Sequence, residues 1–303
     1  MSEVTKPLRV LHFSDTHVGL QVRHMQWKRW FSKRAVGAIN LVRGRAKYFD
    51  EADVKLKALI TFKEAEAIDL VIHTGDYTAL GLESELRLAK ELVSPLMDPI
   101  DRYMTVPGNH DIYVHEGNSH YRFSEQFCSV LQNDLPEYCR GGHWPLIRLV
   151  GDDVAVIALN SSRPNPLPWI SSGKIPQVQL DALEEVLQDS RVKERFIFVI
   201  THYAVRLANG QPDTKHHGLV NADALLEKCK VIKNGALLCG HIHKTYRVGL
   251  DELTCDLYCA GSATMDGHEG CWIYEVEDKR LKAKRVCWDA DLRCYYYLST
   301  TRK

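Results

Sequence analysis

The chain has no long apolar run. Its most apolar stretches, such as Phe196 to Ile200, are strand-sized and far below the roughly 20 residues a helix needs to cross a bilayer. It has no net charge, with 39 basic residues against 39 acidic, so bulk electrostatics name no partner and only the distribution of charge can. No zinc-type pair of C-x-x-C units occurs. The nine cysteines are odd in number and scattered, and the closest two, Cys255 and Cys259, share one strand-like run. Such thiols read as reduced and largely buried, not as a disulfide framework. The short polar stretch Met1 to Pro7 carries no apolar segment of the kind a secretory signal requires, and a cytoplasmic location is expected. Repeats, low-complexity tracts and Ser/Gly-rich linkers are also missing. The 303 residues, 45% hydrophobic and 26% charged, are therefore expected to bury a substantial core as a single domain.

What the chain does have is a recurring pattern in which a buried-type strand stops at a ligand-type residue. Leu8 to Phe13 leads into Ser14-Asp15-Thr16-His17, and Ile68 to His73 into Thr74-Gly75-Asp76. Tyr103 to Val106 leads into Pro107-Gly108-Asn109-His110-Asp111, Phe196 to Ile200 into Thr201-His202, and Gly235 to Cys239 into Gly240-His241-Ile242-His243. Short apolar runs of this kind suit strands buried on both faces. Helical patterns at 51–67, 83–96, 176–190 and 221–232 alternate with them, which argues for an α/β layered domain. In such sheets ligands gather at the carboxyl ends of strands, so five strand ends of this type predict one convergent site. Beyond Ala260, the segments 270–276 and 281–288 read as a hairpin, with 295–298 as a further strand; these are expected to extend a second sheet.

Each motif is weak alone, since Gly-Asp is common and a single histidine after a strand is usually structural. Together, two carboxylates, one amide oxygen and four imidazoles supply the hard and borderline donors that two divalent ions need. Glycines 75, 108 and 240 let the backbone turn sharply beside them. The ordered set Asp15-x-His17, Gly75-Asp76, Gly108-Asn109-His110-Asp111, His202 and Gly240-His241-x-His243 resembles the motif set of the calcineurin-like metallophosphoesterase superfamily across roughly residues 8–270.

That resemblance implies a four-layer αββα sandwich of two mixed sheets flanked by helices. It implies that Asp15, His17 and His243 hold one metal, that Asn109, His202 and His241 hold the other, and that Asp76 bridges the two. A hydroxide shared by the metals would attack phosphorus, and His110 would protonate or stabilise the leaving oxygen. Asp111 is expected to orient its loop. Without a thiolate among these donors, manganese, iron, zinc and cobalt all suit the site, and the family favours manganese. Phosphoprotein phosphatases carry an Asp and an Arg just after the bridging aspartate, where this chain reads Tyr77-Thr78-Ala79-Leu80-Gly81. Purple acid phosphatases place a tyrosine ligand where Ala79 stands and a glycine where His17 stands. What remains is similar to the bacterial phosphodiesterase branch, which includes class III cyclic-nucleotide phosphodiesterases and the UDP-2,3-diacylglucosamine pyrophosphatases of lipid A synthesis. The expected substrate is thus a phosphodiester or pyrophosphate; a DNA nuclease and a non-catalytic scaffold are the lesser alternatives.

Gln21 to Lys47 holds eight basic and no acidic residues, interleaved with Trp27, Trp30 and Phe31 at roughly helical spacing. It reads as a basic helical insert, either packed with its charged face in water or engaging an anionic membrane or lipid substrate at the inner face. Nucleic acid is the less favoured partner. His12 and His73 fall inside strands and read as core; His115, His120, His216, His217 and His268 lie in polar loops that could rim a pocket. Tyr77, Tyr203 and Arg163 are candidate substrate contacts, and the loop 161–168 is a candidate pocket wall.

Overall fold

A computed structural model describes residues 6–19, 48–112, 122–165, 167 and 169–298. The basic insert 21–47, with the membrane contact expected of it, and His115 and His120 lie outside the described residues.

The strands are β1 (Leu8–Phe13), β2 (Leu70–His73), β3 (Tyr103–Thr105), β4 (Leu146–Val150), β5 (Val154–Ala158), β6 (Phe196–Ile200), β7 (Gly235–Cys239), β8 (Tyr246–Val248), β9 (Asp256–Cys259), β10 (Cys271–Glu277), β11 (Arg280–Asp289) and β12 (Cys294–Tyr297). The α-helices are α1 (Ala52–Ala65), α2 (Glu83–Val93), α3 (Arg122–Gln126), α4 (Gln177–Gln188) and α5 (Ala222–Cys229). Two mixed six-stranded sheets result, in the orders β12-β11-β10-β1-β2-β3 and β4-β5-β6-β7-β9-β8. The α/β layered domain expected from the strand pattern, and the sandwich of two mixed sheets that the resemblance implies, are the observed fold.

Strand alternation explains how the layers stack. In β6, Phe196, Phe198 and Ile200 enter the core shared with β1, while Ile197 and Val199 enter the core under α4 and α5. β5 divides the same way, with Val154, Val156 and Ala158 facing the first core and Ala155 and Ile157 the second. A strand buried on both faces carries few polar residues along its length, so its chemistry moves to its end. The helices bury one stripe each: Leu56, Leu59 and Phe62 of α1 pack in the first core, and Leu180, Leu183 and Leu187 of α4 in the second.

β1, β2 and β3 run parallel, as do β5, β6, β7 and β9. Parallel pairing in each sheet sets the ligand-bearing ends side by side. The C-terminal strands correct one expectation. β10 pairs antiparallel with β1, in the register Leu11↔Ile273, so the hairpin enlarges the sheet holding β1, not the second sheet. It still packs across the sandwich, since Tyr274 meets Phe198 at 5.6 Å and Tyr258 at 5.2 Å. An alternating strand seeks any open edge and any apolar layer, and sequence does not say which edge is open. β4, β5 and β8 were not legible either, whereas the strand-like run at Cys255 and Cys259 is β9. β5 ends in Asn160 and Ser161 rather than a carboxylate or imidazole, and so lacked the flag that marked its neighbours.

Among the described residues no helix is long and apolar enough to cross a membrane.

Candidate metal centre

All seven candidate ligands sit just beyond strand ends, and the fold brings them together. Asp15, His17, Asp76 and His243 offer donor atoms within 4.8 Å of one another, and so do Asp76, His202 and His241. Asp76 belongs to both groups. Asn109 joins the second, its Oδ1 3.0 Å from His202 Nε2. All but His243 are buried.

Local backbone geometry aims these side chains. Asp15, His17, Asp76, His241 and His243 have φ of 54°, 42°, 60°, 68° and 53°, in the left-handed region that costs an L-residue about 1–2 kcal/mol each. Neighbouring loops hold them there: Asp15 donates its amide to the Gly75 carbonyl and His17 to that of Asp76, while the Ser262 and Thr264 hydroxyls donate to the carbonyls of Asp15 and Thr16. Close approach requires glycine at two points. A Cβ on Gly108 would stand 2.0 Å from Asp76 Oδ1, and one on Gly240 would stand 1.9 Å from Ser14 Oγ.

Backbone carbonyls fix most of the imidazoles. His17 Nδ1 donates to Thr78 O at 3.1 Å, His202 Nδ1 to Thr74 O at 2.8 Å, and His241 Nε2 to His217 O at 3.1 Å. A carbonyl oxygen can only accept, so in the neutral imidazole the proton sits on the nitrogen facing it and the other nitrogen is the one that can bind a metal. His243 is the exception, with Nδ1 3.1 Å from Met265 Sδ.

The inward atoms are short of partners. Asp15 Oδ1 is fully buried and makes no hydrogen bond, although His243 Nε2 lies 3.1 Å away. His17 Nε2 and His243 Nε2 face each other at 3.0 Å. Two imidazole nitrogens and a carboxylate oxygen converging in this way fit a cation between them. Electrostatics agree. Burial alone would raise the Asp15 and Asp76 pKa values, but the facing imidazoles, His243 for Asp15 and His202 for Asp76, hold both well below the usual carboxylate range. Burial opposes charging His202 as well, and Asp76 outweighs it, raising that pKa to about 9.

His110 is only partly buried and stands over this cluster, its ring 4.8 Å from that of His17. Its backbone N–H donates to Asp76 Oδ1 at 2.8 Å, and its Nδ1 meets Ala79 O at 2.6 Å. Asp111 turns away from the centre. Its carboxylate accepts from the amides of Tyr77, Thr78 and Gly108 and from the Thr78 hydroxyl, tying the loop after β3 to the loop after β2. Burial, and then the charge of Asp76, raise its pKa to about 7. Asn offers one acceptor oxygen where Asp offers two, so Asp111→Asn leaves buried amides unpaired. A loss of about 1–3 kcal/mol is expected, read as a lower denaturant midpoint with an unchanged slope.

Several sequence-based candidates resolve differently. Tyr77 is fully buried, its hydroxyl 2.7 Å from Tyr103 Oη and 2.6 Å from Thr105 Oγ1, and Tyr203 gives its hydroxyl to Ser171 O; neither is placed to meet substrate. Arg163 is partly exposed and bonded to Ser172. His12 bridges Tyr274 and Thr74, and His73 packs between Phe13 and Tyr77, both in the core; burial lowers each pKa to about 3. Of the described loop histidines, His217 lies with its ring 4.3 Å from His241, and His268 bonds His243 O through Nδ1. Ser161, expected only as part of a pocket wall, accepts the His202 amide on its Oγ at 3.2 Å, a role that sequence reasoning missed.

Three comparisons bear on this geometry. A search of curated proteins returns no significant match. Among solved structures, a dimetal phosphatase from Danio rerio superposes with a TM-score of 0.64 at 13% identity, covering 98% of this chain and 100% of that one. Purple acid phosphatase from yellow lupin seeds gives 0.58 at 13% identity, over 93% of this chain and 52% of that one. GAP50, the anchor in the inner membrane complex of Plasmodium, gives 0.52 at 12% identity, over 99% and 90%. At such identities the likeness is one of fold. The model of the calcineurin-like phosphoesterase family matches residues 8–245, which include all seven candidate ligands and His110. With that match and a buried two-cluster site at the strand ends, the chain belongs to the calcineurin-like phosphoesterase family.

Proposed function

We propose that this chain hydrolyses a phosphodiester or pyrophosphate bond with two divalent metal ions. The observation that carries the reading is Asp76, one carboxylate common to two clusters in which carbonyls of Thr78, Thr74 and His217 hold the outward nitrogens of His17, His202 and His241. Asp15, His17 and His243 would hold one ion and Asn109, His202 and His241 the other, with Asp76 shared. Bound there, two divalent cations supply Lewis acidity, drawing charge from phosphoryl oxygens and making water a better nucleophile. Nitrogen and oxygen donors without thiolate suit manganese, which we take as the working metal, with iron, zinc and cobalt as alternatives.

The protein's own part in catalysis centres on His110. Ala79 O holds one proton on Nδ1, so Nε2 of the imidazolium form would pass the second proton to the leaving oxygen and leave the ring neutral. The bond from its amide to Asp76 Oδ1 ties the position of this acid to the shared ligand. In phosphoprotein phosphatases a side-chain acid orients this histidine. Here a backbone carbonyl does so, which together with the missing Asp and Arg after Asp76 supports a diesterase over a protein phosphatase.

The test is a substrate panel on metal-free protein reconstituted with manganese: an aryl monoester, an aryl diester, cyclic nucleotides, UDP-diacylglucosamine and duplex DNA. Cleavage of a diester or of the pyrophosphate is expected to exceed monoester hydrolysis, to vanish on chelation and to return with the metal. Turnover that survives exhaustive metal removal, verified by elemental analysis, overturns the reading. A clear preference for the monoester replaces it with a phosphatase, and selective UDP-diacylglucosamine cleavage points to the lipid A-type pyrophosphatase.

A further inference from the structure

The family motifs do not account for the loop 213–218, yet among the described residues this loop supplies the hydrogen-bond partner of His241 Nε2, His217 O at 3.1 Å. That loop is locked on itself. Asp213 Oδ2 meets His217 Nδ1 at 2.6 Å, and its Oδ1 accepts the Thr214 amide at 2.6 Å. The amides of His217 and Gly218 both donate to Thr214 O, at 3.1 and 2.7 Å. The loop is also sewn to its neighbour, since Ser171 donates to His216 O and Gly173 to Gly218 O. The Asp213 side chain is 11% exposed, whereas that of His217 is 48% exposed and lies with its ring 4.3 Å from His241, at 34°.

Together these contacts make a chain of constraint: Asp213 to His217, the His217 carbonyl to His241, and His241 to the centre. We infer that Asp213 and His217 form a positioning clamp for one ion only, the one assigned to Asn109, His202 and His241. No comparable bond joins this loop to Asp15, His17 or His243 among the described residues. The inference rests on the binuclear reading above and adds to it an asymmetry: one half of the centre depends on a loop that lies outside the motifs. A side chain that orients a metal-binding histidine typically sustains a 10–100-fold difference in metal affinity. Acting through a carbonyl, the clamp should govern how well His241 is aimed, not whether it is present.

Calorimetric titration of the metal-free full-length chain with manganese, beside elemental analysis, tests this. The parent should take up two ions in separable steps, and His241→Ala identifies the step that belongs to His241. Asp213→Ala should weaken that same step about 10–100-fold and spare the other. Asp213→Asn, which keeps one acceptor, should lie between. Asp213→Ala combined with His217→Ala should be little worse than either alone, because the two act as one unit. Equal weakening of both steps, or none, overturns the clamp. Equal weakening accompanied by a melting temperature lowered by more than a few degrees in Asp213→Ala overturns it too, and assigns the residue to folding. If the parent itself binds fewer than two ions, it is the binuclear reading that fails, and the clamp with it.

Discussion

Asp76→Ala is expected to lower kcat/KM by at least about 10³-fold and to weaken both metal-binding steps. Removing one preorganised donor from a developing negative charge typically costs about 10²–10³-fold, and this substitution removes the ligand common to two ions. Asn109→Ala, confined to one cluster, should be milder in metal content. The loss should not come from unfolding. In the metal-free protein Asp76 accepts one amide hydrogen bond and pairs with the buried His202 imidazole, so its removal also lets that imidazole lose its proton. The metal-free variant is expected to remain folded, read as a single cooperative melting transition beside that of the metal-free parent. A variant that keeps two ions and near-parent turnover would show that the centre is assigned to the wrong carboxylate.

His110→Ala is expected to retain both metals while losing about 10²–10⁴-fold in kcat on esters with alkyl leaving groups, the range general acid catalysis supplies. On an activated aryl ester, whose leaving oxygen departs without a proton, the loss should be within about tenfold. The contrast between the two substrates is the measurement. Equal losses would mean that the imidazole steadies charge without transferring a proton. A drop in metal content would instead mean that the His110 ring holds the centre in place through its contact with His17.

The division of labour among these residues explains why the site was legible early. A strand buried on two faces has room for polar chemistry only where it ends, so Asp15, Asp76, Asn109, His202 and His241 announce themselves by position as well as by type. Parallel pairing then makes the ends of neighbouring strands converge with no further information. The helices were equally readable, because Leu56, Leu59 and Phe62, or Leu180, Leu183 and Leu187, repeat at the spacing of one helical face. Their ends were less so: the second helix gives way after Val93 to a tighter 3-10 turn, Ser94–Met97, at Pro95.

Residue types, strand-end placement and the existence of one shared site were thus decided by the sequence alone. Tertiary structure decided the rest. Whether the C-terminal hairpin joined β1 or the other sheet depended on which edge the remaining strands left open. Tyr77 and Tyr203, which could have met substrate, had their hydroxyls claimed by Thr105, Tyr103 and Ser171. Above all, the groups that aim the histidines are carbonyls of Thr74, Thr78, Ala79 and His217. Every residue carries a carbonyl, so no pattern of side chains can mark the four that matter; only the folded backbone, bent into the left-handed region at Asp15, His17, Asp76, His241 and His243, selects them.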